Sequence, residues 1–385
     1  MTPEEKRQAH SILTERLAEE YIMPALASID QRLLDYFVDI ADNPDLHNGY
    51  EILCAVKFLR LLKTYEFNER KVRQIISLRE GEWIQDERGR WNYVRGGIKC
   101  PGTDTAHIYR WQPFQVFVLA SVFGFHTWFN TEVRAIDKPN LLLTERERED
   151  GLVEDYRRLC NYFVLYTPRK TDKTGMSAYI QVVFFLLEDY NSEGYCLANS
   201  ADQAKLLYRR AKLMLQQLDD GHRMRMTETV CDWRPAFKNV RDSSIRPLSA
   251  GGKTKDGMFA LLFSADEFGS ASTINGKSDM KMLVDVVQSS MGPRREPLTF
   301  TTTTAGRIQQ GPFIEKLEVL HKILGYEHEY EAGTMTPTLA NDGTMCLLLE
   351  PDEYERENEQ YILTSHALRR KINPMLGLVV QYDFY

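Results

Sequence analysis

The stretch Tyr162-Phe163-Val164-Leu165-Tyr166-Thr167-Pro168-Arg169-Lys170-Thr171-Asp172-Lys173-Thr174 decides the fold. An apolar, β-prone run stops at Thr167-Pro168, a short basic loop follows, and Lys173-Thr174 opens an apolar helix from Met176 to Leu187. Strand, loop, Lys-Ser/Thr, helix is the layout of a phosphate-binding loop. A triphosphate asks for backbone N–H donors, a helix N-terminus and a cation close to its β and γ phosphates. Lys173 supplies the cation and the Thr174 hydroxyl is a candidate Mg2+ ligand. Arg169, Lys170 and Thr171 complete the candidate loop. A basic turn that happens to enter a helix has the same composition. Asp172 also stands where the motif wants glycine.

A second stretch narrows the choice. Phe259-Ala260-Leu261-Leu262-Phe263-Ser264-Ala265-Asp266-Glu267 reads as a buried strand, Met258 to Phe263, ending in two carboxylates. Asp266 sits where a Walker B Asp holds Mg2+, and Glu267 is placed to polarise an attacking water. Two surface acids after a strand are the plainer alternative. The spacing from Lys173 leaves room for intervening β-α units, so the two strands are expected side by side in one sheet. Together the two motifs favour a P-loop ATPase over either alternative.

Other candidates are weaker alone. Phe300-Thr301-Thr302-Thr303-Thr304-Ala305-Gly306 is a β-branched strand with a polar tip; Thr303, Thr304 and Gly306 are candidate sensors of hydrolysis, and an edge strand facing water is the alternative. Trp111-Gln112-Pro113-Phe114-Gln115 offers a Gln and aromatics for adenine, against an ordinary helix start. Arg294-Arg295 is an exposed pair or, in a ring, a trans finger. Acids at every step in Glu350-Pro351-Asp352-Glu353-Tyr354-Glu355 point in all directions on a helix and read as a solvated face.

The whole chain bounds these readings. Its 385 residues have room for two or three domains and a large core. Hydrophobic content of 43% and charged content of 27% are those of an ordinary soluble globular protein. A formal net charge of -7 argues against a broadly basic nucleic-acid coat, though a local basic track is compatible with it. Cys54, Cys100, Cys160, Cys196, Cys231 and Cys346 are scattered, with no CxxC pair, which points to a reducing compartment. The charged N-terminus has no apolar signal core, and the most apolar window, Phe114 to Phe129, is shorter than the ~20 residues of a span and reads as a buried helix.

Along the chain, residues 1–105 read as a mainly helical region, with a hairpin between Trp83 and Tyr93 and a Gly/Pro-rich boundary at 96–102. Residues 106–335 alternate strand and helix. Tyr195 to Ala198 is a strand, Ser200 caps the helix Ala204 to Leu218, and Met226 to Val230, Ile245 to Leu248 and Leu298 to Thr304 are further strands. Repeated β-α units imply an α/β fold with a central, mostly parallel sheet flanked by helices. Residues 336–385 read as a C-terminal linker segment.

Taken in order, these motifs resemble the large terminase subunit of tailed bacteriophages, over roughly residues 108–378. Trp111-Gln112-Pro113-Phe114 looks like the adenine motif, and Pro168 to Thr174 looks like the family's Arg-Lys-Asn-Gly-Lys-Ser loop. Ala198 to Ala204 looks like its second strand and helix, and Phe263 to Glu267 like its Walker B. Met291-Gly292-Pro293-Arg294-Arg295-Glu296-Pro297-Leu298 running into Thr303 to Gly306 looks like the coupling motif. Asn373-Pro374-Met375-Leu376-Gly377 resembles the segment ahead of a nuclease domain. The resemblance implies a P-loop NTPase of the ASCE type using ATP and Mg2+ to translocate double-stranded DNA into a procapsid. It also implies a portal, a small terminase subunit and a homo-oligomeric ring (a pentamer) as partners, at the portal vertex in the host cytoplasm and with no membrane. No nuclease activity is expected in these residues. Arg169 is the expected cis contact to the γ-phosphate, and Arg294 or Arg295 the trans finger. A helicase-like ATPase and a non-hydrolysing scaffold docked on a portal are the rivals. The negative charge of Asp172 predicts weak nucleotide binding, tightened by Asp172→Gly.

Overall fold

The computed structural model describes residues 1–85, 91–99, 110–132, 152–188, 191–219, 221–238, 242–249, 257–270, 279–304, 312–357 and 359–376. Among them the N-terminal part is helical: α1 (Pro3–Leu17), α2 (Ile22–Ile29), α3 (Gln31–Asp42), α4 (Gly49–Thr64) and α5 (Glu69–Glu80). Side chains set their starts, since Thr2, Asp30, Asn48 and Asn68 each accept a bond from a first-turn N–H. The expected hairpin is present as β2 (Glu82–Gln85) and β3 (Trp91–Arg95).

The dominant feature is an eight-stranded sheet in the order β13-β6-β12-β11-β7-β10-β9-β8. Its strands are β6 (Tyr162–Tyr166), β7 (Glu193–Ala198), β8 (Met224–Met226), β9 (Cys231–Trp233), β10 (Ser244–Ser249), β11 (Leu262–Asp266), β12 (Leu298–Thr303) and β13 (Thr344–Leu348). From β13 to β10 every neighbouring pair is parallel; β9 and β8 are antiparallel additions at one edge. The central strands are buried on both faces, which explains their nearly unbroken apolar runs. The helices Lys173–Leu187, Ala201–Leu218, Asp279–Met291 and Pro312–Glu331 follow β6, β7, β11 and β12.

Several expectations change. β6 and β11 are not neighbours: β12 lies between them and pairs with both. The apolar window after Phe114 is not one helix. α6 (Pro113–Phe123) closes at Gly124, where a Cβ would fall 2.1 Å from the Phe67 ring, and the chain continues as β4 (Phe125–Glu132). β4 pairs with β1 (Glu66–Phe67) and β5 (Leu152–Arg158) in a small separate sheet. The strand expected at Met258 to Phe263 begins at Leu262, where pairing to Gly194 and Leu298 begins. Of the strand expected at Met226 to Val230 only Met226 belongs to β8; Thr227 to Val230 turn toward β9, because the Thr227 hydroxyl accepts the N–H groups of Thr229 and Val230.

The segment 336–385, expected as a linker, contributes β13 beside the phosphate-loop strand. The helical region does not stand apart either. Cys54 and Phe58 of α4 belong to the same continuous core as Met345 and Cys346 of β13. Arg60 of α4 donates to Glu327 and Asp342, both fully buried, and the Lys57 ammonium caps the carbonyls of Asn341 and Thr344. The acidic run is no solvated face: Glu350, Asp352 and Glu355 are buried. Asp352 accepts from Lys6, Lys371 and the Gly49 N–H, and Glu355 accepts from Lys371. Charge pairing across three segments overrides the preference of acids for water.

Candidate nucleotide site

In open parallel sheets ligands sit at the carboxyl ends of the strands, and the predicted motifs converge there. β6 delivers Thr167 to Thr174, β11 delivers Asp266 and Glu267, and β12 delivers Thr302 to Thr304. Gly306 lies outside the described residues. The loop bends through two left-handed residues, Lys170 (φ 70°) and Asp172 (φ 57°), and Lys173 then opens the helix. Inside it the Thr167 and Thr171 hydroxyls lie 2.6 Å apart, and Thr171 Oγ1 donates to the Pro168 carbonyl at 3.0 Å.

The buried Lys173 Nζ donates to the carbonyls of Pro168 at 2.6 Å and Thr167 at 3.2 Å. Burial pulls this ammonium down to about 8; Glu267 and Asp266 oppose the shift and Arg169 adds to it. Arg169 and Lys170 are exposed on the loop.

The Thr174 hydroxyl donates to Asp266 Oδ2 at 2.7 Å, and Thr302 Oγ1 donates to Asp266 Oδ1 at 2.6 Å. Both carboxylate oxygens are thus oriented from neighbouring elements. Glu267 is left-handed (φ 54°), its Oε2 accepts from Thr304 Oγ1 at 2.8 Å, and its carbonyl accepts from Asn199 Nδ2 at 3.2 Å. Thr303 Oγ1 accepts the Gly269 N–H at 2.7 Å. Strained backbone clustered on the candidate residues is what a preorganised site shows. Hydroxyl and carboxylate oxygens are hard donors suited to Mg2+, so the residues present fit that ion.

Residues 154–322 match the family described as terminase large subunit, ATPase domain. Over this segment the chain is similar to terminase large-subunit ATPase domains. The matched segment holds the phosphate loop and both carboxylates, while Trp111 and Gln112 precede it. Similar solved structures include the HK97 bacteriophage large terminase, with 16% identity over 81% of this chain and 50% of that one and a TM-score of 0.48. The Thermus phage P74-26 large terminase ATPase domain matches at 14% identity over 55% and 86% of the two chains, with a TM-score of 0.34. The chain thus spans about half the length of the HK97 protein. No curated protein matches it.

Two sets of predicted residues lie elsewhere. Trp111 is buried: its indole donates to the Ile76 carbonyl at 3.3 Å, the Arg79 guanidinium covers its ring at 4.4 Å, and Tyr179 meets it edge-on. It is a core residue rather than an open stacking face. Gln112 stays half-buried, with its N–H bonded to Gln115 Oε1. Arg294 and Arg295 precede β12, at the opposite end of the sheet, a strand length of roughly 20 Å from the loop. Arg294 lies over the Phe259 ring at 3.7 Å, and Arg295 donates to the Tyr156 carbonyl. Neither reaches the phosphate loop of its own chain. Sequence reasoning did not single out Thr302 or Asn199, whose roles depend on β12 and β7 flanking β11.

Proposed function

We propose that this chain is the ATP-hydrolysing subunit of a viral motor that drives double-stranded DNA into a procapsid. The observation that carries the hydrolytic reading is the chain Thr174–Asp266–Thr302 beside Lys173, with Glu267 anchored by Thr304. Lys173 leaves the loop carbonyls to meet the β and γ phosphates, the loop N–H groups cradle them, and the exposed Arg169 reaches the γ-phosphate. Thr174 and Asp266 would hold Mg2+, which neutralises phosphate charge when bound. Glu267 accepts the proton of a water whose oxygen bonds to the γ phosphorus as the bond to the β–γ bridging oxygen breaks, leaving ADP and phosphate. The β12 tip, Thr303 and Thr304, touches both Glu267 and the loop at Gly269, so it is placed to register loss of the γ-phosphate.

DNA is gripped through its phosphates without sequence readout, so binding weakens steeply with salt. The net charge of -7 suits binding by an assembled ring on a portal, with a small terminase subunit, better than binding by one copy. Arg294 and Arg295, far from their own loop, are candidate fingers toward a neighbour, and the working place is the portal vertex in host cytoplasm. Among the described residues no helix is long and apolar enough to cross a membrane. The test is Glu267→Ala: it binds ATP as the parent does and loses turnover by about 10²–10⁴-fold. Full turnover in that variant overturns the assignment, and stimulation of the parent by procapsids separates a packaging motor from a helicase-like ATPase.

A further inference from the structure

Asp172 was expected to repel the nucleotide, and its surroundings point the other way. Aspartate enters the left-handed region more readily than most non-glycine residues, and Asp172 sits there at φ 57° and ψ 33°. Its carboxylate folds back over Gly175. A Cβ built on Gly175 would fall 2.1 Å from Asp172 Oδ1 and 2.4 Å from Oδ2, so the carboxylate fills the space where a side chain at 175 would stand. There it meets two guanidinium groups: Arg79 Nη2 lies 3.3 Å from Oδ2 and Arg210 Nη1 lies 3.2 Å from Oδ1. Arg79 comes from α5, its side chain 5% exposed and packed over the Trp111 and Tyr179 rings. Arg210 comes from the helix Ala201–Leu218 and is 41% exposed.

We propose that Asp172 is a positioning residue: bridging Arg79 and Arg210 across the bare Cα of Gly175, it holds the phosphate loop in its receiving conformation and makes α5 part of the nucleotide site. This rests on the hydrolytic reading above. Glycine at 172 would free the backbone; the bridge instead fixes it from two sides. Two cations also offset the negative charge next to the triphosphate, and a partly buried, two-partner ion pair is worth more than an exposed one.

The test uses the full chain, calorimetry with ATP and Mg2+, steady-state turnover, and a melting curve for every variant. Asp172→Gly weakens ATP binding about tenfold, and KM rises more than kcat falls. Asp172→Asn, which keeps the left-handed tolerance and drops the charge, does the same. Arg210→Ala, at an exposed position with little risk to folding, reproduces the loss and adds little on top of Asp172→Asn, because both break one bridge. Gly175→Ala displaces the carboxylate and weakens the parent, yet is tolerated in the Asp172→Gly background. Tighter or unchanged binding by Asp172→Gly, or additive effects of Asp172→Asn and Arg210→Ala, overturns the bridge while leaving the nucleotide site standing. A folded parent that binds no ATP overturns the nucleotide site and the bridge's role together.

Discussion

On the proposed reading nucleotide affinity turns on Lys173, and its protonation is accessible to experiment. Burial lowers its pKa to about 8 from the usual value of 10.5. The phosphates need the charged form, and the free site loses that proton as pH rises through about 8. ATP affinity therefore holds between about pH 7 and 8 and falls by up to tenfold per unit above that, until the bound state also titrates. Isothermal titrations across this range check it, and a profile flat to about pH 10 would show that Lys173 remains protonated in the free site. At this scale the sequence was informative where a placement is local: Lys173 and Thr174 opening a helix after a strand and loop, and Asp266 and Glu267 at a strand end, were legible. The ion pairs of Asp172 were not legible, because Arg79 and Arg210 are far away in the chain. The one local hint was Gly175, a glycine placed three residues after the missing one. Trp111 was misjudged because an aromatic beside a Gln has the same letters whether it faces a ligand or Arg79.

Among elements, β12 ties the two carboxylates of the candidate site to the sheet. Inserted between β6 and β11, it brings Thr302 to Asp266 and Thr304 to Glu267. Its run of threonines looked like an edge strand because β-branched polar residues suit one, and strand order does not show in periodicity. α4 does similar work on the other side of the core through Arg60, whose two carboxylate partners are wholly buried. Arg60→Ala leaves Glu327 and Asp342 without that cation, and the expected loss is about 3–5 kcal/mol of stability. Chemical denaturation measures it; a change below about 1 kcal/mol would mean that the nearby Lys57 ammonium and the Tyr65 hydroxyl, which donates to Asp342 Oδ2 at 2.7 Å, suffice. The strand-helix rhythm from β6 to β10 was legible because each unit buries its own apolar run. β13 was not, since it follows a single short helical turn, Leu339–Gly343, and precedes a dense acidic run whose burial depends on Lys6 and Lys371.

For the whole molecule, the helical region and the sheet form one body. Phe117 of α6 packs against Phe37 and Phe58, and Cys54 Sγ lies 3.8 Å from Cys346 Sγ. A fragment spanning residues 106–385 therefore shows no cooperative melt by circular dichroism; a transition matching the parent's would mean that the sheet needs no helical cover. Composition and charge bounded this scale correctly as a large core with an acidic surface balance, but they could not show that the boundary at 105 crosses shared packing. That packing also has a clock in it. The apolar face of α4 meets its strand partner only when β13 has been made, roughly three hundred residues later, which at ~5–20 residues per second of synthesis is on the order of 15–60 s. Through that interval Cys54 waits for Cys346, and part of the apolar face of α4 has yet to meet its strand.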